Sequence, residues 1–318
     1  MIKKILIIIG VIVLIGGAIA YHFYKKIYNK NVSETAYIYI PTNADINKVS
    51  ELIYPFLKNK KSFNWVANKK NYPNKIRAGK FKITEGMNNE ELIDHLRGGK
   101  PETITVTFNN QDSFESLAGR ISNQIEADSI SILKAFNDDD FMKTNNFSKN
   151  TALAMYIPNS YNFYWNTTAE QFRNKMLKEY TLFWNEERQE KAKKQNLTPL
   201  QVVSLASIVQ KETAKVNERQ KVAGLYLNRL EDFWPLQADP TIIYAIKQKH
   251  GQDTEIKRVL NKDLTIDSPY NTYTNFGLPP GPIGMPDISS IEAVLNPKHH
   301  NFFYMCVSSN NIEECSYP

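Results

Sequence analysis

The stretch TPLQVVSLASIVQKETAKVNERQKVAGLYLNRL, residues 198–230, decides how the rest of the chain is read. Thr198-Pro199-Leu200-Gln201 is a capping box with proline at the first helical position, where a missing N–H costs nothing. The spacing predicts a helix over 198–214 whose apolar side carries Val202, Leu205, Ile208 and Val209. Glu212 follows Leu205 by seven residues, Ile208 by four and Val209 by three, so it falls on that same side. A carboxyl there is costly unless it is paired or protonated. Two readings stay open. Either Glu212 is half of a buried salt bridge with Arg219 or Arg229, or burial raises its pKa so that it still holds a proton near neutral pH and can give it to a leaving group. Gln210 and Lys211 are expected to face away, and Glu218 to sit in the first turn of the next helix, 218–231.

Upstream of this stretch, a long helix is expected over 168–195. The aromatic segment YIPNSYNFYW (156–165) fits neither helix nor regular strand, and the Asn/Asp/Lys-rich residues 137–150 read as a loop. Leu117, Ile121, Ile125, Ile130, Leu133 and Phe136 carry a helical pattern, and TITVTF (103–108) a strand. Residues 36–102 form a small α+β unit: a strand at 36–41, helices at 45–57, around 63–66 and at 88–97, a strand at 79–83, and Gly98-Gly99 as a stop. Downstream lie a Pro/Gly-rich stretch, 277–286, and a last strand, 301–307.

The N-terminus supplies most of the charge. The formal net charge is +6, but residues 1–26 hold Lys3, Lys4, Lys25 and Lys26 and no acid, leaving 35 basic against 33 acidic residues after them. Nucleic acid is therefore not an expected partner. ILIIIGVIVLIGGAIAY, Ile5–Tyr21, is uncharged and, with His22-Phe23-Tyr24, long enough to span a bilayer. Ala18-Ile19-Ala20 has the small-x-small look of a signal-peptide cleavage site, yet the apolar run exceeds the usual h-region, so an uncleaved single-pass anchor is expected. The short tail before it, against nearly 300 residues after it, favours export of the large part. Two cysteines, Cys306 and Cys315, leave one bridge or two free thiols open.

Several segments together resemble the MltG/YceG family of endolytic murein transglycosylases: ASIVQKET (206–213), ERQKVAGLYLNRL (218–230), LQADPTIIYAI (236–246), SPYNTYTNFGLPPGPIGMPD (268–287) and AGKFKITEGMNNEELIDHLRGGK (78–100). The resemblance is ordered and covers nearly the whole chain. It implies an α+β protein: a cytoplasmic tip and transmembrane anchor (1–26), a tether (27–35), a LysM-like module (36–102) and a mainly helical catalytic domain with short strands (103–318). It implies a lyase that cleaves the bond between N-acetylmuramic acid and N-acetylglucosamine within glycan strands, leaving 1,6-anhydro ends and terminating or trimming nascent strands. The family's catalytic glutamate falls on Glu212. Where the family often has a second glutamate this chain has Gln210, and Glu212-Thr213 is similar to the Glu-Ser of other lytic transglycosylases. The alternative class is a non-catalytic peptidoglycan-binding or scaffold protein.

The resemblance places Gln237, Asp239, Asn271, Tyr273 and Asn228 among the sugar-binding residues, and lets Asn228 with Arg229 orient Glu212. Each has a plainer reading: Asp239-Pro240-Thr241 as a helix cap, Tyr270–Tyr273 as a packed loop, Asn228 and Arg229 as partners of local carbonyls. Tyr161 is read as core or ligand-facing, and Gly277–Pro282 as a rigid turn in the cleft wall. His299-His300 lack a nearby Cys or acid cluster, so neither metal nor cofactor is expected. The implied setting is the plasma (inner) membrane with the catalytic domain outside the cytoplasm, peptidoglycan strands as substrate, and peptidoglycan synthases as partners. Family members continue past the last strand, so the ending NNIEECSYP is expected to shorten that end of the fold.

Overall fold

A computed structural model describes residues 2–307 and 312–314, and these divide into two compact units. The first takes the chain up to Thr105 together with Asn162–Thr167; the second takes Val106–Tyr161 and the chain from Thr168. Secondary structure is mixed and mostly helical.

The first unit begins with α1 (Ile2–Tyr28), about 40 Å long at 1.5 Å per residue and apolar enough to cross a membrane, with no residue of it buried. Residues 29–33, expected to run as a tether, instead fold onto the unit. The Asn31 and Val32 amides both donate to the Met87 carbonyl (2.9 and 3.0 Å), Ser33 N donates to Phe56 O, and Val32 is fully buried. Asn31 adds side-chain bonds to the Asn59 backbone and to Asn89 Oδ1. Strands β1 (Ala36–Ile40) and β2 (Gly79–Ile83) pair antiparallel with Ile38 opposite Phe81. Period-two alternation puts Ile38, Ile40, Phe81 and Ile83 in the core, while Lys82 stays outside. Helices α2 (Ile46–Ile53), α3 (Lys60–Lys69) and α4 (Asn89–Gly98) close over that face, each started by an Asx cap: Asp45, Asn59 and Asn88.

Strand β3 (Thr103–Phe108) pairs with β4 (Asn159–Tyr164). The aromatic segment 156–165 is therefore a strand over most of its length. Its edge is secured by Thr107–Ser160 and Thr105–Asn162 side-chain bonds of 2.7 and 3.2 Å. In the second unit α5 (Phe114–Ser122) and α6 (Ser129–Phe136) follow the expected pattern. Residues 137–150 are not all loop, because Asp138 caps a short α7 (Asp139–Thr144). The helix expected over 168–195 is two, α8 (Ala169–Phe183) and α9 (Glu186–Lys194). Asn185 accepts the Arg188 amide at 3.0 Å, starting a new helix in competition with continuation of the old one.

Helix α10 (Pro199–Glu212) is the axis of this unit. It packs against α9, α11 (Arg219–Glu231), α12 (Asp239–His250) and α13 (Ile288–Leu295), and every residue from Val202 to Val209 is buried. The single apolar face expected from sequence is thus corrected to burial all round, which small residues permit. Ser204 returns its hydroxyl to Leu200 O, and Ser207 donates to Ser204 O while accepting the Ile283 amide. Gln210 does not face away: its Oε1 accepts from Asp287 N and Ser290 Oγ at the start of α13. Asp287 also takes both 2.7–2.8 Å bonds from Arg219. Burial opposes the Asp287 charge, but Arg219 and the Ser290 amide outweigh it and hold its carboxyl below the usual range. The chain closes with β5 (Met305–Val307) antiparallel to β6 (Ile312–Glu314). Cys315 lies outside the described residues, and with it the pairing of Cys306.

Gly224, in mid-α11, lets the 298–300 segment lie directly on that helix. A Cβ there would stand 2.4 Å from the Lys298 carbonyl oxygen. In an open helix Gly→Ala stabilises by about 1 kcal/mol, but a backbone clash of this kind costs ~1–3 kcal/mol and decides the sign. Thermal denaturation of Gly224→Ala should therefore show a lowered Tm; an unchanged or raised Tm would contradict this packing.

Candidate active site

Glu212 is the last residue of α10, and Thr213 leaves the helix with extended backbone. As a residue Glu212 is exposed, which corrects the expectation that it lies on an apolar face. Its carboxyl is nonetheless recessed: Oε1 accepts a 2.7 Å bond from the hydroxyl of Tyr226, a ring only 4% exposed within α11. Protein atoms crowd the carboxyl without sealing the residue from solvent. Desolvation raises its pKa above the ordinary carboxylate value, helped by the negative charge of Asp239 and opposed by the Tyr226 bond and the Arg229 charge.

Neither arginine proposed as a salt-bridge partner takes that role. Arg219 is held by Asp287 and Ser289, and Arg229 gives its N–H groups to the carbonyls of Leu236 and Phe303. Arg229 acts on Glu212 only as a nearby charge, while its hydrogen bonds hold the segment that leads into α12. Glu218 is buried at the start of α11, where it accepts from Thr213 Oγ1 and Lys215 Nζ at 2.8 and 3.0 Å.

The second carboxylate is Asp239, first residue of α12. Ala238, not Asp239, is the cap residue, and the Asp239 carboxylate instead accepts a 2.6 Å bond from the Tyr273 hydroxyl. Burial, then this bond and the Asp239 charge, raise the Tyr273 pKa, so the phenol stays a donor. Two loops are laced together to place this pair. Gln237 N donates to Thr272 O, and Ala238 N to Thr272 Oγ1. Thr241 Oγ1 gives its only hydrogen to Ala238 O (2.7 Å), so the 2.8 Å Thr241–Thr272 contact must be a bond donated by Thr272.

The structure therefore brings Glu212, Asp239 and Tyr273 into one electrostatic neighbourhood, with exposed Gln237 next to Asp239 in a left-handed backbone conformation (φ 50°). It does not bring the others there as ligands. Asn271 is fully buried, donating to Leu264 O and Ile266 O and accepting the Tyr273 amide, so it shapes the loop. Asn228 donates to His300 O and Phe302 O. Tyr161 stacks on Phe108 and donates to Ile157 O.

A cavity of about 810 Å³ lies against α11, lined in part by Asn228, Phe233, Gly277, Leu278 and Pro280; Glu212 is not in its wall. His300 accepts the Phe302 amide at Nδ1, so Nε2 carries the hydrogen and donates to Lys221 O. No group of three metal-ligating side chains converges among the described residues.

Tyr226 is the residue that sequence reasoning passed over. The signal was there: it falls three residues before Arg229 and four after Val222, on the inward face of the helix that follows Glu212.

The profile of the YceG-like family matches residues 38–316. The chain is 31% identical to the endolytic murein transglycosylase of Bacillus subtilis strain 168, over 93% of this chain and 86% of that protein. It is 28% identical to the endolytic murein transglycosylase of Streptococcus pneumoniae strain R6, over 84% of this chain but 53% of that protein, so it spans about half the length of that relative. Among solved structures, a YceG-like protein from Listeria monocytogenes superposes with a TM-score of 0.59 at 25% identity, over 89% of this chain and 96% of that one. A profile matched along most of the sequence and a relative aligned almost end to end lead to the same conclusion: the chain belongs to the YceG-like family.

Proposed function

We propose that this protein is a membrane-anchored peptidoglycan lytic transglycosylase, cutting within glycan strands, with Glu212 as its acid and base. The observation that carries the reading is the recessed Glu212 carboxyl, raised in pKa by desolvation and gripped by the Tyr226 hydroxyl. The relatives named endolytic murein transglycosylase support the substrate and reaction class. In the proposed cycle protonated Glu212 gives its proton to the glycosidic oxygen between N-acetylmuramic acid and N-acetylglucosamine as the C1–O bond breaks. The muramyl 6-hydroxyl then attacks C1, and the Glu212 carboxylate takes that hydroxyl's proton. No water is consumed, the product carries a 1,6-anhydro ring, and Glu212 returns protonated. One carboxyl suffices because the nucleophile belongs to the same sugar and its effective concentration is already high. Asp239 keeps the proton on Glu212 by its charge and, with Tyr273 and Gln237, is proposed to meet the sugar. Asn271, Asn228 and Tyr161 are proposed to shape the surrounding fold.

The proposal extends to α1 as an uncleaved single-pass anchor with the catalytic unit outside the cytoplasm. It also takes residues 36–102 as a LysM-like module, and termination of nascent strands beside peptidoglycan synthases as the cellular task.

Three outcomes are expected. Digestion of purified sacculi followed by mass spectrometry should give anhydro-muropeptides, and Glu212→Gln should lower their release by roughly 10²–10⁴-fold. Reducing ends would instead indicate a hydrolase using Asp239 as second carboxylate, and no cleavage a binding protein. In Tyr226→Phe the carboxylate loses a stabilising donor, so the alkaline limb of the pH–rate profile should move to higher pH; an unmoved or lowered limb would contradict the role of that bond. Stability should follow the same proton. A carboxyl whose folded pKa is raised contributes most below its unfolded pKa and loses that contribution as pH rises through the folded value. The Tm advantage of Glu212→Gln over the native chain should thus be near zero around pH 4 and grow with rising pH. An advantage that shrinks with pH would contradict the raised pKa.

A further inference from the structure

The end of α1 fixes a height. About 20 residues at 1.5 Å each span a hydrocarbon core of ~30 Å, so a helix that enters a bilayer at Ile5 leaves its core at about Tyr24. Phe23 lies in that last apolar turn, and its ring stacks on Trp65 of α3 with centroids 5.0 Å apart. The Lys26 ammonium sits 5.3 Å from the same Trp65 ring, and Asn89 Nδ2 donates to Lys26 O at 2.7 Å. These contacts fasten α3 and α4 to α1 just where lipid tails give way to headgroups.

What α3 presents at that height suits a lipid surface. Its sequence, KKSFNWVANK, contains no acid. Lys61, Trp65 and Lys69 recur at intervals of four and so form one stripe, in which Trp65 is half-buried at the edge of the core that Phe63, Val66 and Ala67 enter. Lys61 and Lys69 are exposed, and neither takes part in an ion pair among the described residues. Of the three acids of α4, Glu90 and Asp94 are engaged by Lys70, at 3.5 and 2.7 Å, and Glu91 accepts the Asn88 amide in the capping box; none pairs with Lys61 or Lys69 among the described residues. Lys69 leans over Trp65 at 5.9 Å, which leaves a tryptophan flanked by ammonium groups beside the emerging helix.

We propose that the Lys61–Trp65–Lys69 stripe, with Lys25 and Lys26, lies on the bilayer that α1 enters and binds its anionic phospholipid headgroups, holding the first unit against the membrane. Tryptophan at the interface and lysine at the phosphate level each favour that position. The inference rests on α1 as a spanning helix but not on which side of the membrane the chain faces.

The test uses the full chain reconstituted into vesicles of equal parts phosphatidylcholine and phosphatidylglycerol. One or the other lipid is brominated near the carbonyl end of its acyl chains, so that it quenches tryptophans in contact with it. The expected result is quenching that is largely lost in Trp65→Phe. It should also be about twofold or more stronger with bromine on phosphatidylglycerol than on phosphatidylcholine. Lys61→Glu/Lys69→Glu, which retains Trp65, should equalise the two lipids. Quenching that survives Trp65→Phe, or equal quenching by both lipids in the native chain, overturns this proposal alone. A chain that fails to float with the vesicles overturns the spanning reading and this proposal together.

Discussion

The second unit depends on one constraint: α10 is buried on every side for eight consecutive residues, and its last turn must then connect to three different neighbours. Gln210 ties to the start of α13, Lys211 pairs with Asp112 at 2.7 Å, and Glu212 meets Tyr226 of α11. A shift of the helix by one residue would break all three. The exposed Lys211–Asp112 pair contributes little by itself, whereas the Gln210–Asp287–Arg219 network is partly removed from water and ties the start of α13 to α10. Precision at Glu212 is therefore a property of the core.

The electrostatics of the site are a contest with four participants. Desolvation and the Asp239 charge favour the protonated Glu212; the Tyr226 hydroxyl and the Arg229 charge favour the carboxylate. Desolvation wins while the opposing pair favours the carboxylate, a balance that suits the acid-then-base role proposed for Glu212. Arg229 is well suited to a modest part, because its N–H groups are spent on the Leu236 and Phe303 carbonyls and it offers Glu212 charge without a competing bond.

Much of this was legible in the sequence, and the failures have physical causes. The capping box at Thr198, the two-residue alternation at Gly79–Ile83 and the apolar N-terminal run carry local signals, and their elements form. The break at Trp184-Asn185 was hidden because a helical pattern continues on both sides of it, and β4 because its aromatic residues pack in the irregular way that a two-stranded edge allows. Glu212 could be singled out by spacing, but the reason offered, an amphipathic face, does not exist on a helix covered all round. Asp239 as a ligand of Tyr273, and Tyr226 as the partner of Glu212, are contacts between residues 34 and 14 positions apart, which no local pattern encodes. Asn228, Asn271 and Tyr161 show the converse, since residue types that suit sugars serve equally well to satisfy buried carbonyls.

Burial is expected to make Glu212 hold its proton above the pH at which ordinary glutamates lose it. Carbon-13 NMR of the protein labelled at glutamate side-chain carboxyls, with the Glu212 resonance assigned by its absence in Glu212→Gln, measures this directly. The expected titration midpoint for that resonance lies above the usual glutamate range. A midpoint within or below that range would contradict it.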